Sequence, residues 1–174
     1  MGVKLNKTYN SDSNIIKYFE KVSETLILFN ITVKSDSVKL NSRPIHFRYD
    51  FGDFPPLDIS FDSESGLLRE ITIFINEINI GSYYEIREKD LINLKGFPSF
   101  TFDRIEKHEY YYDEVCKIEI YLSDLSLFVC ISDKEIQKKI IVNEDLDILL
   151  NAGDEFAGFA VNLLSIDDLK FLKS

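Results

Sequence analysis

Apolar and polar residues alternate along much of this chain, most clearly between Cys116 and Ile131. Every second residue from Cys116 to Leu122 is apolar, and so is every second residue from Leu125 to Ile131. A period of two is typical of a β-strand that buries one face. Because the polar pair Ser123-Asp124 separates the two runs, they predict an antiparallel hairpin. With Leu122 opposite Leu125, the apolar faces of its two arms coincide.

A second hairpin is predicted where alternating runs begin at Leu57 and end at Ile75. The turn between them, Ser63–Gly66, supplies a glycine that accepts a positive φ angle and can close the loop. Further strands are predicted in TLILFNITV, in IHFRYDF and on both sides of Gly153-Asp154. These segments indicate a domain built mainly from antiparallel strands.

An N-terminal helix is predicted after Ser13-Asn14. In the following IIKYFEKVSE, the spacing of Ile15, Ile16, Phe19 and Val22 would place all four on one face of a helix.

A short C-terminal helix is predicted after Ser165, because Asp168 lies three residues further on, close to a capping-box pattern. Leu169 and Leu172 would dock this helix on the sheet. The predicted fold is therefore α+β: one β-rich globular domain over residues 1–174, which is an ordinary length for a single domain.

The charge of the chain disfavours two classes of partner. Lys and Arg number 20 against 30 Asp and Glu, which gives a net charge of −10. Neutralising phosphates requires clustered cations, so we expect neither nucleic acid nor an anionic membrane surface as a partner. An acidic chain instead suits a basic partner protein, which electrostatic steering would help it to find.

The cysteines and the N-terminus predict a cytoplasmic protein. No apolar run reaches the ~18 residues of a membrane span, and the first residues lack the apolar core of a secretory signal. In the predicted hairpin, Cys116 and Cys130 lie on opposite faces, where they cannot form a disulfide. Two free thiols fit a reducing compartment.

Sequence motifs for catalysis are absent. The two histidines, His46 and His108, lack the spacing of a zinc site. No G-x-S-x-G nucleophile elbow or glycine-rich phosphate loop occurs. Pairs of carboxylates are frequent, as chance predicts in so acidic a chain. We therefore expect no catalytic residue, metal or cofactor, although a Ser-His-Asp or Cys-His arrangement could assemble from distant residues.

One short segment is a candidate for partner binding. Because successive strand residues point to opposite faces, its three consecutive tyrosines cannot all be buried. Tyrosines beside acidic residues are typical of a surface that recognises a basic protein. The alternative is that the outer tyrosines simply cover the sheet. The candidate residues are Glu109, Tyr110, Tyr111, Tyr112, Asp113 and Glu114.

Two longer stretches carry a resemblance to known proteins. DFPPLDISFDSESGLLREITIFI contains an aliphatic-Asp-Ile-x-Phe-Asp-x-x-(Ser/Thr)-Gly-x-(Leu/Ile) pattern, and EFAGFAVNLLSIDDLKFLK reads as a strand followed by a capped helix. Together they resemble small, acidic bacterial proteins of the immunity or antitoxin type. The resemblance implies a protein that binds and neutralises a toxin made by the same cell, and it assigns no functional residue.

The sequence leads to three functional hypotheses. The first is a non-catalytic binding protein of the immunity type. The second is a scaffold subunit that adds a sheet edge to a larger assembly, since an exposed edge strand is a template for pairing. The third is a hydrolase with a dispersed site of carboxylates and His46 or His108.

Overall fold

The computed structural model describes residues 2–35, 42–52, 54–76, 78–80, 90–102 and 109–173. Strands make up 60% of these residues and helix 5%. The elements in chain order are β1 (Val3–Tyr9), β2 (Asn14–Lys21), β3 (Ile27–Lys34), β4 (Pro44–Asp50), β5 (Leu57–Asp62), β6 (Leu68–Ile75), β7 (Asn79–Ile80), β8 (Ile92–Lys95), β9 (Phe97–Phe102), β10 (Tyr111–Val115), β11 (Ile118–Ser123), β12 (Ser126–Ile131), β13 (Lys138–Ile141), β14 (Leu146–Leu150), β15 (Phe156–Val161) and the helix α1 (Ile166–Lys173).

The described strands form two large sheets and a two-stranded ribbon. The six-stranded sheet has the order β10-β4-β5-β6-β3-β2, and the seven-stranded sheet has the order β7-β11-β12-β15-β14-β13-β8. Strands β1 and β9 form the ribbon. Most neighbours are antiparallel, but β10 runs parallel to β4, β7 to β11 and β8 to β13.

One apolar cluster receives side chains from all three sheets. Phe29 and Ile59 come from the six-stranded sheet, Ile148 and Phe159 from the seven-stranded sheet, and Phe97 from the ribbon. Each of these side chains is almost completely buried. Burying a large apolar side chain contributes about 1.5–3 kcal/mol to folding, so this shared core holds the sheets together.

A second, smaller apolar cluster lies on the other face of the seven-stranded sheet. It contains Phe128 and Cys130 of β12 and Leu149 of β14. All residues of β14 and β15 are therefore buried. These strands do not show the alternation of buried and exposed residues that is typical of a strand with one solvent-exposed face. At Gly158, a Cβ atom would lie 2.3 Å from the carbonyl oxygen of Val129, so only glycine allows this close contact between strands.

The predicted N-terminal helix is wrong, because Asn14–Lys21 forms strand β2. β2 pairs with β3 along its whole length, and Phe19 stacks on Phe29 with ring centres 4.2 Å apart. Ile15 and Phe19 are four residues apart, which satisfies helical spacing and also the period of two. Long-range pairing selected the strand, so the fold is essentially all-β and the α+β prediction is wrong.

Both predicted hairpins are confirmed. β5 and β6 pair antiparallel, and the loop between them ends at Gly66 with a φ angle of 70°. β11 and β12 also pair antiparallel, but Leu122 lies opposite Leu127 rather than Leu125. The turn therefore starts one residue later than predicted, at Asp124, whose φ angle is 49°. A shift of two positions on one arm keeps the apolar faces together.

The C-terminal helix α1 is confirmed with its cap. The Ser165 hydroxyl accepts a hydrogen bond from the Asp168 N–H at 3.0 Å, and the Asp168 carboxylate accepts one from the Ser165 N–H at 3.0 Å. Leu172 is buried in the core, and Leu169 packs against it. Among the described residues, no helix has the length and apolar character needed to cross a membrane.

The six-stranded sheet turns one face to the core and the other to solvent. On its outer face the side chains are mostly polar, and exposed tyrosines occur near both edges, Tyr111 on β10 and Tyr18 on β2. One cross-strand row on this face consists of Asp113, Arg48, Asp58, Thr72, Asn30 and Tyr18.

Candidate functional site

The candidate tyrosine segment contains β10, the edge strand of the six-stranded sheet. β10 pairs parallel with β4, so that Tyr111 lies beside His46 and Asp113 beside Arg48. Two backbone hydrogen bonds mark the ends of this pairing, from His46 N–H to the Tyr110 carbonyl at 2.7 Å and from Cys116 N–H to the Asp50 carbonyl at 2.8 Å.

The three tyrosines have different environments. Tyr112 is 7% exposed and stacks on Phe47 in the core, with ring centres 5.0 Å apart. Tyr110 is partly buried, and the guanidinium of Arg43 lies 4.0 Å from the centre of its ring. Tyr111 is 54% exposed on the outer face of the sheet. Tyr111 is therefore the tyrosine with the exposed phenol that the sequence predicts.

The ring of Tyr111 contacts two side chains of β4. The imidazole of His46 stacks on its ring at 4.9 Å with an interplanar angle of 16°, and the Arg48 guanidinium lies 5.0 Å from the ring centre. Arg48 also donates two hydrogen bonds to Asp113, at 2.7 and 2.8 Å. These bonds raise the pKa of Arg48. Charge-assisted, two-point bonds fix the plane of the guanidinium beside the tyrosine ring.

His46 is in turn oriented by Asp58 of β5. Its Nδ1 lies 2.9 and 3.1 Å from the two carboxylate oxygens. Ser60 of β5 lies opposite His46 in the sheet and is almost completely buried. A nucleophilic serine must reach the imidazole through a hydrogen bond, and the described residues include no such bond between Ser60 and His46. The Asp58–His46 pair thus acts here as a support for Tyr111.

A cavity of about 320 Å³ lies at the pairing of β4 and β10. Tyr49 lines it, and the Tyr49 hydroxyl is buried without a hydrogen-bond partner among the described residues. Burial, followed by the nearby Glu114 carboxylate, raises the pKa of Tyr49 far above its usual value. The side chain of Lys134 lies 3.8 Å from Glu114 and 5.6 Å from the Tyr49 ring centre. On the cavity side of β10, the Glu114 carboxylate therefore already has the ammonium group of Lys134 beside it.

Cys116 follows β10 and has an unreactive environment. Burial, with the carboxylates of Glu114 and Asp133, raises the pKa of its thiol to about 11. The nucleophilic form of cysteine is the thiolate, which is scarce at neutral pH when the pKa is so high. Cys116 does not have the properties of a catalytic cysteine. His108 lies outside the described residues.

The structure brings the candidate residues to one sheet edge and places cations beside two of their carboxylates. Asp113 is paired with Arg48, and Glu114 lies near Lys134, while Glu109 is exposed. Within the described part of the chain, no group of three or more His, Cys, Asp or Glu side chains is placed to hold a metal ion.

Sequence reasoning missed several residues that build this surface: Arg48 and Asp58, which position the exposed ring, and Val115, which is 84% exposed at the end of β10. The alternation in IHFRYD does indicate that His46 and Arg48 share a face. It gives no signal that this face lies beside a strand more than sixty residues further along the chain.

No protein-family model matches this chain, and no curated protein matches it.

Proposed function

We propose that this chain is a non-catalytic binding protein of the immunity type, which neutralises a toxic protein of the same cell by covering it. The contact surface is the outer side of β10, made by Glu109, Tyr111, Asp113 and Val115, and is called the β10 surface below. A basic segment of the partner binds there.

The observation that carries this proposal is the position of Tyr111. Its ring is half exposed, yet stacking on His46 and contact with Arg48 already restrict it. Immobilising a free side chain on binding costs about 0.5–1.5 kcal/mol, and a ring that is held beforehand avoids much of this cost. Tyrosine and arginine are also the residue types that dominate binding energy at protein interfaces.

Charge supports a basic partner. The chain has a net charge of −10, and 61% of the Asp113 side chain stays exposed although it is paired with Arg48. Glu109 and Asp50 add exposed carboxylates beside β10. A cationic partner, such as an enzyme that cleaves nucleic acid, would be attracted by this surface. We place the complex in the bacterial cytoplasm, where reducing conditions keep Cys116 and Cys130 as the free thiols that the structure contains.

The test is co-expression with the toxic domain of a protein encoded beside this chain. We expect growth to recover and the two proteins to co-purify. Tyr111→Ala should weaken the complex by about tenfold or more, because an interface tyrosine contributes on the order of 2 kcal/mol. Tyr18→Ala is the matched control, because Tyr18 is similarly exposed on the same face near the opposite edge.

Equal effects of the two tyrosine variants would show that the β10 surface is not the contact. A neighbouring toxin that stays active and does not co-purify would contradict the immunity function itself.

Another candidate function is a hydrolase, favoured by the orientation of His46 by Asp58; Ser60, opposite His46 in the sheet, would have to form a hydrogen bond to the imidazole that the described residues do not contain. It predicts hydrolysis of an activated ester that Ser60→Ala and His46→Gln both abolish. Equal background rates in the wild type and both variants would exclude it. The scaffold function differs from the immunity function in its partner, which would then be a structural subunit rather than a toxic enzyme.

A further inference from the structure

The backbone of β10 offers hydrogen-bonding groups to a further strand. In a parallel pair, alternate residues direct their N–H and C=O groups to the same neighbour. The bonds at Tyr110 and Cys116 show that the even-numbered positions face β4. Tyr111, Asp113 and Val115 therefore direct their backbone groups away from β4. In the described part of the chain, no backbone hydrogen bond between separate elements involves these three residues.

Within the described residues, the edge of β10 lacks three common forms of protection. Proteins blunt an edge strand with proline, a bulge or a covering segment. β10 contains no proline, its register with β4 is unbroken, and its last residue, Val115, is 84% exposed.

The opposite edge of the same sheet is different. β2 is tied to the turn between β13 and β14, because Lys17 contacts Asp145 at 2.9 Å. A further hydrogen bond of 3.2 Å runs from the Asn143 side chain to the carbonyl oxygen of Ser13, just before β2.

We propose that the partner binds by adding a strand to the free edge of β10, and that the added strand is an extended segment carrying basic and apolar side chains. This inference rests on the proposed function and specifies its binding mode. Backbone hydrogen bonds would supply affinity, and the alternating side chains would supply specificity. On the outer face, apolar side chains of the segment would contact Tyr111 and Val115, and basic ones would meet Asp113.

Charge argues for a basic segment rather than a second copy of this chain. Asp50, Glu109 and Asp113 are all exposed around β10. Pairing of two β10 strands would bring the same acidic groups together from both copies, and like charges placed opposite each other destabilise a strand pair. A segment with Lys or Arg at these positions would form opposite-charge pairs instead.

The test uses the short, end-blocked peptide Val-Thr-Lys-Thr-Val as the probe, because its first, third and fifth side chains share one face of a strand and match Tyr111, Asp113 and Val115. Binding is followed by NMR. Val115→Pro removes one N–H group on the free edge, and proline is tolerated at such a position of an edge strand. Val115→Ala measures the part played by the side chain. We expect Val115→Pro to bind the peptide about tenfold more weakly than Val115→Ala does, the effect of about one lost hydrogen bond.

A second measurement leaves the protein unchanged. Peptide binding should slow hydrogen exchange at the amides of Tyr111, Asp113 and Val115. The Glu114 amide, which faces β4, should change little. This readout stays valid even if Val115→Pro lowers the stability of the fold.

No peptide binding, equal binding by the two Val115 variants, or unchanged exchange at the three amides would each overturn strand addition. These outcomes are separate from the test of the proposed function. If Tyr111→Ala still disrupts the complex with the toxin, the β10 surface remains the contact and only the binding mode is wrong.

Discussion

Arg48 and Asp113 connect strands β4 and β10 through two hydrogen bonds of 2.7 and 2.8 Å, and the same guanidinium lies beside the ring of Tyr111. The pair therefore links the parallel pairing at the sheet edge to the exposed tyrosine. Both side chains contact solvent, so the pair itself adds little to the stability of the fold. Its main effect is on the geometry of the β10 surface.

Arg48→Ala should separate these two effects. We expect the free energy of unfolding, measured with urea, to fall by about 1 kcal/mol or less, because an exposed ion pair contributes no more than this. Binding of the partner should weaken by about tenfold, because Tyr111 loses a contact that restrains it. Arg48→Lys keeps the charge but not the two-point geometry, so its affinity should lie between the two. Wild-type affinity in Arg48→Ala would refute the supporting role of Arg48.

Tyr49→Phe should stabilise the fold. The Tyr49 hydroxyl is buried and has no hydrogen-bond partner in the described part of the chain, and such a group costs about 1–3 kcal/mol. Phenylalanine keeps the stacking on Phe156, whose ring centre lies 5.8 Å away. We expect the free energy of unfolding to rise by about 1 kcal/mol, with a higher melting temperature. A lower melting temperature would show that the hydroxyl makes a favourable contact.

Asp62→Asn should destabilise the β5–β6 hairpin. Asp62 is 3% exposed and accepts hydrogen bonds from the hydroxyl of Ser42 and from the backbone and hydroxyl of Ser65. An amide nitrogen cannot accept these bonds, so we expect a loss of about 1–3 kcal/mol in urea unfolding at neutral pH. Glu64→Gln is the control, because Glu64 is exposed in the same turn.

The same carboxylate predicts a dependence of stability on pH. Burial alone would raise the pKa of Asp62, but hydrogen bonds from Ser42, Ser65 and the Glu64 N–H outweigh it, and the pKa is lowered. The ionised form therefore stabilises the fold above the unfolded pKa of about 3.9, and this contribution disappears as the pH falls through the lower folded value. Unfolding free energies at a series of acidic pH values should show this loss in the wild type. If Asp62→Asn shows the same loss, other carboxylates cause it.

Cys116 should react slowly with an alkylating agent. Its pKa of about 11 leaves far less thiolate at pH 8 than an ordinary cysteine has. We expect a rate at least about a hundredfold below that of a free thiol, increasing as the pH approaches 11. Mass spectrometry of the labelled protein, with Cys116→Ser to identify the site, would measure it. Rapid labelling of Cys116 at neutral pH would instead support a reactive thiol.

The local pattern of residues determined the elements whose contacts form within a short stretch of chain, namely the two hairpins and the capped helix. The period of two in β5–β6 and β11–β12, the glycine at position 66 and the capping residues Ser165 and Asp168 each indicate their structure directly. These elements depend on side-chain alternation and on backbone groups satisfied within a few residues. A sequence contains that information without reference to the rest of the molecule.

Long-range contacts decided the remainder. Segment 14–21 fits a helix or a strand by its own pattern, and only pairing with β3 and stacking of Phe19 on Phe29 select the strand. The sequence indicates that the tyrosine segment belongs to a strand. Only the parallel pairing with β4 brings the Tyr111 ring into contact with His46 and Arg48.

The chain by itself therefore determined the two hairpins, the C-terminal helix and the acidic tyrosine segment of this protein. Tertiary structure decided which sheet edge that segment forms and which side chains support it. The physical reason is that pairing between distant strands depends on the burial of whole sheets, and this free energy appears only when the chain is folded.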